Sequence, residues 1–227
     1  APASKYTESP MLAAKVEAGE LPPVDERLPA NPAVVKPLVE TGKYGGEMRF
    51  GFTGTSATWG GFVFMAAWEH LTIWKPDFSG VEPNLVESID VSDDVTAYTF
   101  HMRKGMKWSD GVDFTADDIA FYIEDILFNT DLTPGGPSAD WIPTGQGADM
   151  KFEKIDDYTF RLTFPQPYGT FLYALAQWGG RSFAQYPKHY LQQYHAKYND
   201  KVDDLVKADG TVADWMALFN KYGGGGW

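Results

Sequence analysis

Eight tryptophans is a high count for a chain of 227 residues, and three of them sit in unusual company. Trp59, Trp141 and Trp178 each lie among Gly, Pro, Ser or Thr at the end of an element. A large ring in a run of small residues either plugs a gap or offers a flat face to a ligand. Spacing alone leaves both readings standing. A Trp face suits the apolar side of a sugar ring or a peptide side chain. Thr53, Thr55, Ser56, Thr58 and Gln177 stand beside these rings in sequence and carry the hydroxyls and the amide that would add directional hydrogen bonds. Such a site binds without transforming. Trp68, Trp74, Trp108 and Trp215 lie inside periodic apolar segments and read as core.

Covalent chemistry finds little support. There is no Gly-x-x-x-x-Gly-Lys-Ser/Thr loop, no Gly-x-Gly-x-x-Gly and no Gly-x-Ser-x-Gly elbow. Gly54-Thr55-Ser56 has small hydroxyls in a loop, but no His is placed by sequence to activate either. His189 and His195 are six apart, so they do not share a helix face as i,i+4 metal ligands would. With no Cys there are no disulfides, thiolate metal sites or thiol catalysis. Carboxylates such as Asp93, Asp94, Asp117, Asp118, Asp156 and Asp157 fall at turns and helix starts, where Asp has a local backbone role. A secreted glycoside hydrolase would need two of them flanking a sugar. The expectation is no enzyme, no metal and no cofactor.

The balance of 19 Lys and Arg against 31 Asp and Glu gives a net charge of −12, which argues against a nucleic-acid partner. No apolar run approaches the roughly 18 residues of a membrane helix. The start at Ala1-Pro2-Ala3 suits an exported protein whose signal peptide has been removed. The finish at Gly223-Gly224-Gly225-Gly226-Trp227 reads as a loop or hinge, hence as an incomplete chain.

Several elements position these residues. Residues 1–46 form a proline-rich lead-in with room for a short helix near Met11–Ala18. Period-two patterning from Glu47 through Met48, Phe50 and Phe52 predicts a strand, and Phe62–Trp68 a buried helix. Asp93-Asp94 and Asp156-Asp157 predict tight turns into two strands, with Tyr98, Phe100 and Met102, then Tyr158, Phe160, Leu162 and Phe164, facing a core. Trp108-Ser109-Asp110-Gly111 reads as a turn. Thr115 and Asp118 cap a helix reaching about Phe128, with Ile119, Ile123 and Ile126 inward. Helices are expected over Thr170–Gln177 and about Pro187–Tyr198, and Thr211 with Asp214 signals a last one.

The run Val81-Glu82-Pro83-Asn84-Leu85-Val86-Glu87-Ser88, then Val91-Ser92-Asp93-Asp94, then Tyr98-Thr99-Phe100-His101-Met102-Arg103-Lys104-Gly105-Met106-Lys107-Trp108-Ser109-Asp110-Gly111, closely resembles the signature of family 5 extracellular solute-binding proteins. Phe114-Thr115-Ala116-Asp117-Asp118, Asp156–Leu162 and Pro187-Lys188-His189-Tyr190-Leu191 follow in the family's order, and Gly45-Gly46-Glu47-Met48-Arg49 resembles its first strand. The resemblance covers about 44–195.

The resemblance implies an α/β fold: a periplasmic-binding-protein-like, two-lobed receptor of type II that closes on its ligand. This chain would hold the first lobe and the family's extra subdomain, with the second lobe absent. Residues 1–46 would be an N-terminal extension, 47–60 and 170–227 the first ligand lobe, and 61–169 the inserted subdomain. Ligand contacts would come from Thr53–Trp59, from Gln177-Trp178, and from a tip carrying Trp141. The implied role is a periplasmic, monomeric receptor that delivers an oligosaccharide to an inner-membrane ABC permease. An oligopeptide is the alternative ligand. The lead-in Leu21–Pro29 and Lys43-Tyr44-Gly45-Gly46 look like the subgroup that includes oligosaccharide receptors.

Overall fold

Residues 5–47, 49, 68–137, 141 and 150–223 are described by the computed structural model. The chain divides into two units, Ala1–Trp68 with Arg103–Asp113, and Glu69–Met102 with Phe114–Trp227. The expected strand residues Met48, Phe50 and Phe52, and the expected helix over 62–67, lie outside the described residues.

In the first unit the lead-in forms two short helices, α1 (Pro10–Glu17) and α2 (Val24–Arg27). Ser9 caps α1 by accepting Leu12 N, and Pro10 occupies its first turn, where the missing N–H costs nothing. Arg27 joins the two helices through Glu8 at 2.5 Å and Pro22 O at 2.9 Å. Backbone pairing fastens the lead-in to the 103–113 segment: Ala30 N donates to Lys104 O at 2.8 Å and Arg103 to Asn31 O at 2.6 Å. The expected turn is present, with Gly111 N on Trp108 O at 2.9 Å.

The second unit is built on a four-stranded antiparallel sheet. A small hairpin of β1 (Thr72–Trp74) and β2 (Val81–Pro83) precedes it. Then come β3 (Val86–Val91), β4 (Ala97–Met102), β5 (Lys151–Asp156) and β6 (Thr159–Thr163), in the order β3-β4-β6-β5. Phe100 pairs with Phe160 in register, and their rings stack 4.9 Å apart. Tyr98, Phe100, Met102, Phe160, Leu162 and Phe164 are all buried, as the alternation predicts, whereas Tyr158, expected with them, is only half-buried in the turn before β6. Asp94 makes its turn by accepting from Ser92 Oγ, Thr96 N and Thr96 Oγ1. These bonds hold Val95 at φ +58°, a region that a β-branched residue rarely enters.

Thr115 and Asp118 form the predicted capping box at the start of α3 (Ala116–Ala120). From Phe121 to Leu127 the chain winds as a π-helix instead of continuing as α, and Phe128 N reaches Ile123 O at 3.1 Å. Ile119, Ile123 and Ile126 are buried as expected, and so are Phe121, Tyr122, Asp125 and Leu127. The wider winding serves a helix with core on most of its sides.

The last third is helical in shorter pieces than the periodicity suggests: α4 (Phe171–Leu175), α5 (Lys188–Leu191), α6 (Val202–Asp209) and α7 (Trp215–Gly223). The helix expected to run to Tyr198 ends early, because His195 turns extended and enters the core. There it meets the rings of Phe121, Trp215 and Phe219 and bonds Asp125 O at 3.0 Å. Asp214 caps α7 through Ala217 N at 2.8 Å. Thr211 takes no part in that cap; it closes the preceding turn on Asp209. Helix α6 was not signalled by a cap pair, and it ends at Gly210 with φ +66°.

Candidate ligand-binding site

Helix α4 sets up the site by where it stops. After Leu175 the chain doubles back into a 3-10 turn, Trp178–Ala184, so tightly that a Cβ on Gly180 would lie 1.8 Å from Leu175 O. Only glycine fits there. Gly180 N donates to Gln177 O at 2.9 Å and closes the turn. Gln177 and Trp178 are thereby thrown outward, and Trp178 is 43% exposed.

The exposed ring is not loose. Arg181, one turn on, donates from Nη1 to Trp178 O at 2.6 Å and lays its guanidinium 3.8 Å over the indole. A cation above an aromatic face is held by the ring quadrupole, at about 0.5–1 kcal/mol in exposed settings. Burial lowers the Arg181 pKa, opposed by the hydroxyls of Tyr186 and Tyr122. One face of the indole is thus occupied by the protein.

Beneath the turn lies an aromatic floor. Phe183 is buried with its ring 5.1 Å from Tyr122 and 5.2 Å from Trp141. Tyr122 stacks on Tyr186 at 5.5 Å, and its hydroxyl takes hydrogen bonds from Ser182 and Trp141. Burial pushes the Tyr122 phenol well above its ordinary range, and that of Tyr186 upward too. His70, in the segment just before β1, is half-buried, and burial holds its imidazole pKa below the ordinary value. Asn84 donates to Glu69 Oε2 at 2.6 Å and His70 O at 2.9 Å, fixing that segment.

The sequence-predicted residues therefore have different fates. Gln177 and Trp178 stand together on the surface. Trp141 is 3% exposed, edge-on to Phe171 and Phe183 with its N–H turned to Tyr122. In this arrangement it supports the turn and offers no open face, contrary to the exposed tip expected of it. Thr53, Thr55, Ser56, Thr58 and Trp59 lie outside the described residues. The four tryptophans read as core, Trp68, Trp74, Trp108 and Trp215, are only half-buried. Arg181, His70 and Gly180 were not singled out from sequence. The Gly179-Gly180-Arg181 run directly after Trp178 is the one signal that could have found two of them.

The family signature residues do scaffold work. Asp118 is buried and accepts Thr115 N at 3.0 Å and Lys188 N at 2.9 Å, joining the starts of α3 and α5. Lys154 bridges Asp117 and Asp157 at 2.9 and 2.8 Å. Among the described residues no group of His, Asp and Glu could hold a metal ion, and no helix is long and apolar enough to cross a membrane.

The mixed α/β fold is shared with solved solute-binding proteins. The family described as bacterial extracellular solute-binding proteins, family 5 Middle, matches residues 80–209, and the chain belongs to family 5. It is 35% identical to the periplasmic alpha-galactoside-binding protein of Rhizobium meliloti (strain 1021), over 94% of this chain and 33% of the relative. A solved oligopeptide-binding protein OppA superposes with a TM-score of 0.79 at 40% identity, covering 96% of this chain and 33% of that one. The periplasmic binding protein MelB of Agrobacterium fabrum C58, solved with stachyose, superposes with a TM-score of 0.66 at 33% identity, covering 89% of this chain and 33% of that one. The chain thus spans about a third of the length of these relatives.

Proposed function

We propose that the chain is the first portion of a periplasmic receptor that captures an oligosaccharide and delivers it to an inner-membrane ABC permease. The observation that carries this reading is the Trp178 indole, exposed on the surface with Arg181 over one face. An exposed indole suits the apolar side of a sugar ring, and the Gln177 amide beside it can bond hydroxyls. Support comes from relatives: the alpha-galactoside-binding protein and the stachyose-bound structure. The receptor acts as a monomer without a cofactor, and binds rather than cleaves its ligand.

In this reading residues 47–60 and 170–227 belong to the first ligand lobe, 61–169 to the inserted subdomain and 1–46 to an extension. Thr53, Thr55, Ser56, Thr58 and Trp59 add ligand contacts on the family resemblance alone. A second lobe would supply the rest, and closure would follow from the ligand favouring the closed member of an existing equilibrium.

A second reading, the same role with an oligopeptide, draws on the OppA superposition. Calorimetric titration of the chain with stachyose, raffinose and a tetra-alanine peptide separates the two. The sugar reading expects heat from stachyose, weakened in Trp178→Ala, and none from the peptide. Peptide binding with no response to either sugar overturns it.

A further inference from the structure

The last turn of α7 carries Tyr222, which is 41% exposed. Its ring lies on that of Tyr194, with the centroids 4.2 Å apart and the planes 6° from parallel. Tyr194 ends the 3-10 turn Gln192–Tyr194 that follows α5, so the stack joins two separate elements. Each side of it is anchored by a neighbour in the chain. Lys221 ties the end of α7 to Asp209 at 2.5 Å. His195, directly after Tyr194, is buried among the rings of Phe121, Trp215 and Phe219.

Two phenols stacked this closely can be joined by oxidation. The chain has no Cys, hence no thiol to take up an oxidising equivalent first and no disulfide to brace the fold. We infer that Tyr194 and Tyr222 form an oxidative cross-linking site, where a one-electron oxidant couples the two rings carbon to carbon. The product is an intramolecular dityrosine that staples the end of α7 to the turn after α5. Nothing in this depends on what Trp178 binds.

The chemistry balances as follows. Each phenol gives one electron to the oxidant and its hydroxyl proton to water. The two phenoxyl radicals pair their electrons in a new bond between the ring carbons ortho to oxygen. The hydrogen on each of those carbons then moves to the oxygen and restores the aromatic phenol. In all, two electrons and two protons leave, and the oxidant is reduced by two electrons. Burial pushes the Tyr194 phenol up to about 12, so it enters the reaction protonated and sheds its proton with the electron.

Other tyrosine contacts lack one requirement each. Tyr190 meets Tyr194 edge-on, at 5.7 Å and 69°, and a bond there would close only one local turn. Tyr122 and Tyr186 are parallel to within 2°, but their centroids are 5.5 Å apart and Tyr122 is buried away from an oxidant in solution. Tyr194 and Tyr222 combine short spacing, parallel rings and access. The bond between them would enclose all of α6 in a covalent loop, and such a loop stabilises by restricting the unfolded chain, as a disulfide does.

The test treats the dilute chain at neutral pH with photogenerated tris-bipyridyl ruthenium(III), a one-electron oxidant, with persulfate as the final electron acceptor. The monomer is expected to gain dityrosine fluorescence and lose two hydrogens in mass. Tryptic mapping should find the peptides bearing Tyr194 and Tyr222 joined. Tyr194→Phe and Tyr222→Phe, which keep a ring in place, should each abolish the joined peptide, and Tyr190→Phe should retain it. The cross-linked monomer should melt about 4–16 °C above identically treated Tyr222→Phe, the range for one link in a chain of this size. No dityrosine, dityrosine only between chains, or a main product linking Tyr190 to Tyr194 or Tyr122 to Tyr186 overturns the proposal. So does a joined peptide that survives in Tyr222→Phe, and a cross-linked monomer that melts no higher than that variant.

Discussion

The Arg181 guanidinium lies 3.8 Å over the Trp178 ring while its Nη1 holds the Trp178 carbonyl at 2.6 Å. One side chain thus grips both the ring and the backbone of the same residue. An indole 43% exposed would otherwise sample several rotamers and lose that freedom on binding. Pre-organisation of this kind raises affinity by lowering the ordering cost, without adding a contact to the ligand.

Removing the grip should therefore weaken binding without touching the ligand. Arg181→Ala is expected to lower stachyose affinity about two- to fivefold, the equivalent of one exposed cation–π contact. Arg181→Lys restores charge but not the planar fork, and should fall between the two. Isothermal titration checks both. Affinity unchanged in Arg181→Ala would show that the ring needs no support.

Gly180→Ala tests the turn. The new methyl would meet Leu175 O at 1.8 Å, a backbone atom that cannot swing aside, so the turn must open or the helix end must shift. Overpacking of this sort costs about 1–3 kcal/mol and sometimes more, which for a chain of this size lowers Tm by about 2–12 °C. Differential scanning calorimetry reads it. A Tm within about a degree of wild type would mean that the close approach relaxes freely.

Asp118 offers a test of the scaffold. Its carboxylate accepts Thr115 N and Lys188 N, two backbone groups that would otherwise be buried without these acceptors. Asp118→Ala is expected to cost about 2–4 kcal/mol, the sum of a lost cap and an orphaned donor. Asp118→Asn keeps one acceptor oxygen and should cost about half as much. Urea unfolding monitored by Trp fluorescence decides. Equal stability of Asp118→Asn and Asp118→Ala would show that only one of the two bonds matters.

The parts of this molecule that sequence revealed share a physical feature: their signal is local. The sheet was legible because Tyr98, Phe100 and Met102 alternate against one buried face, and the α3 cap because Thr115 and Asp118 stand three apart. Trp178 drew notice as a large ring among small residues, a pattern that left a gap-filling ring and an exposed one equally open, and it is exposed. What stayed hidden depends on tertiary placement. His195 ends its helix early because Phe121, Trp215 and Phe219 make a pocket for it, which no helical period can show. Trp141 and Trp178 look alike in sequence, yet one is buried under the turn and the other stands on it. Asp125 gave no signal at all, although it is buried and gathers Lys197 and Tyr198, each at 2.5 Å. The tyrosine hydroxyl is pushed up to about 12 by burial and that carboxylate.

The joint between α6 and α7 carries the pH prediction. Lys221 reaches back from α7 to Asp209 Oδ2 at 2.5 Å, and Thr211 donates to the same carboxylate. The hydrogen bond from Lys221, then that from Thr211, hold the Asp209 pKa down to about 2 from an ordinary 3.8. Because the folded pKa is depressed, the contribution of this joint is fully present above pH 3.8. It is lost as the pH falls through about 2, where the folded carboxylate also takes its proton. Carboxyl ¹³C titration of Asp209 should give that low midpoint in the wild-type chain and a midpoint closer to 3.8 in Lys221→Met. Amide exchange in α7 should quicken between those two pH values in the wild type, relative to Asp209→Asn, whose uncharged amide does not titrate there. A wild-type midpoint already near 3.8 would mean that Lys221 leaves Asp209 to solvent, and that α7 is held to α6 by other contacts.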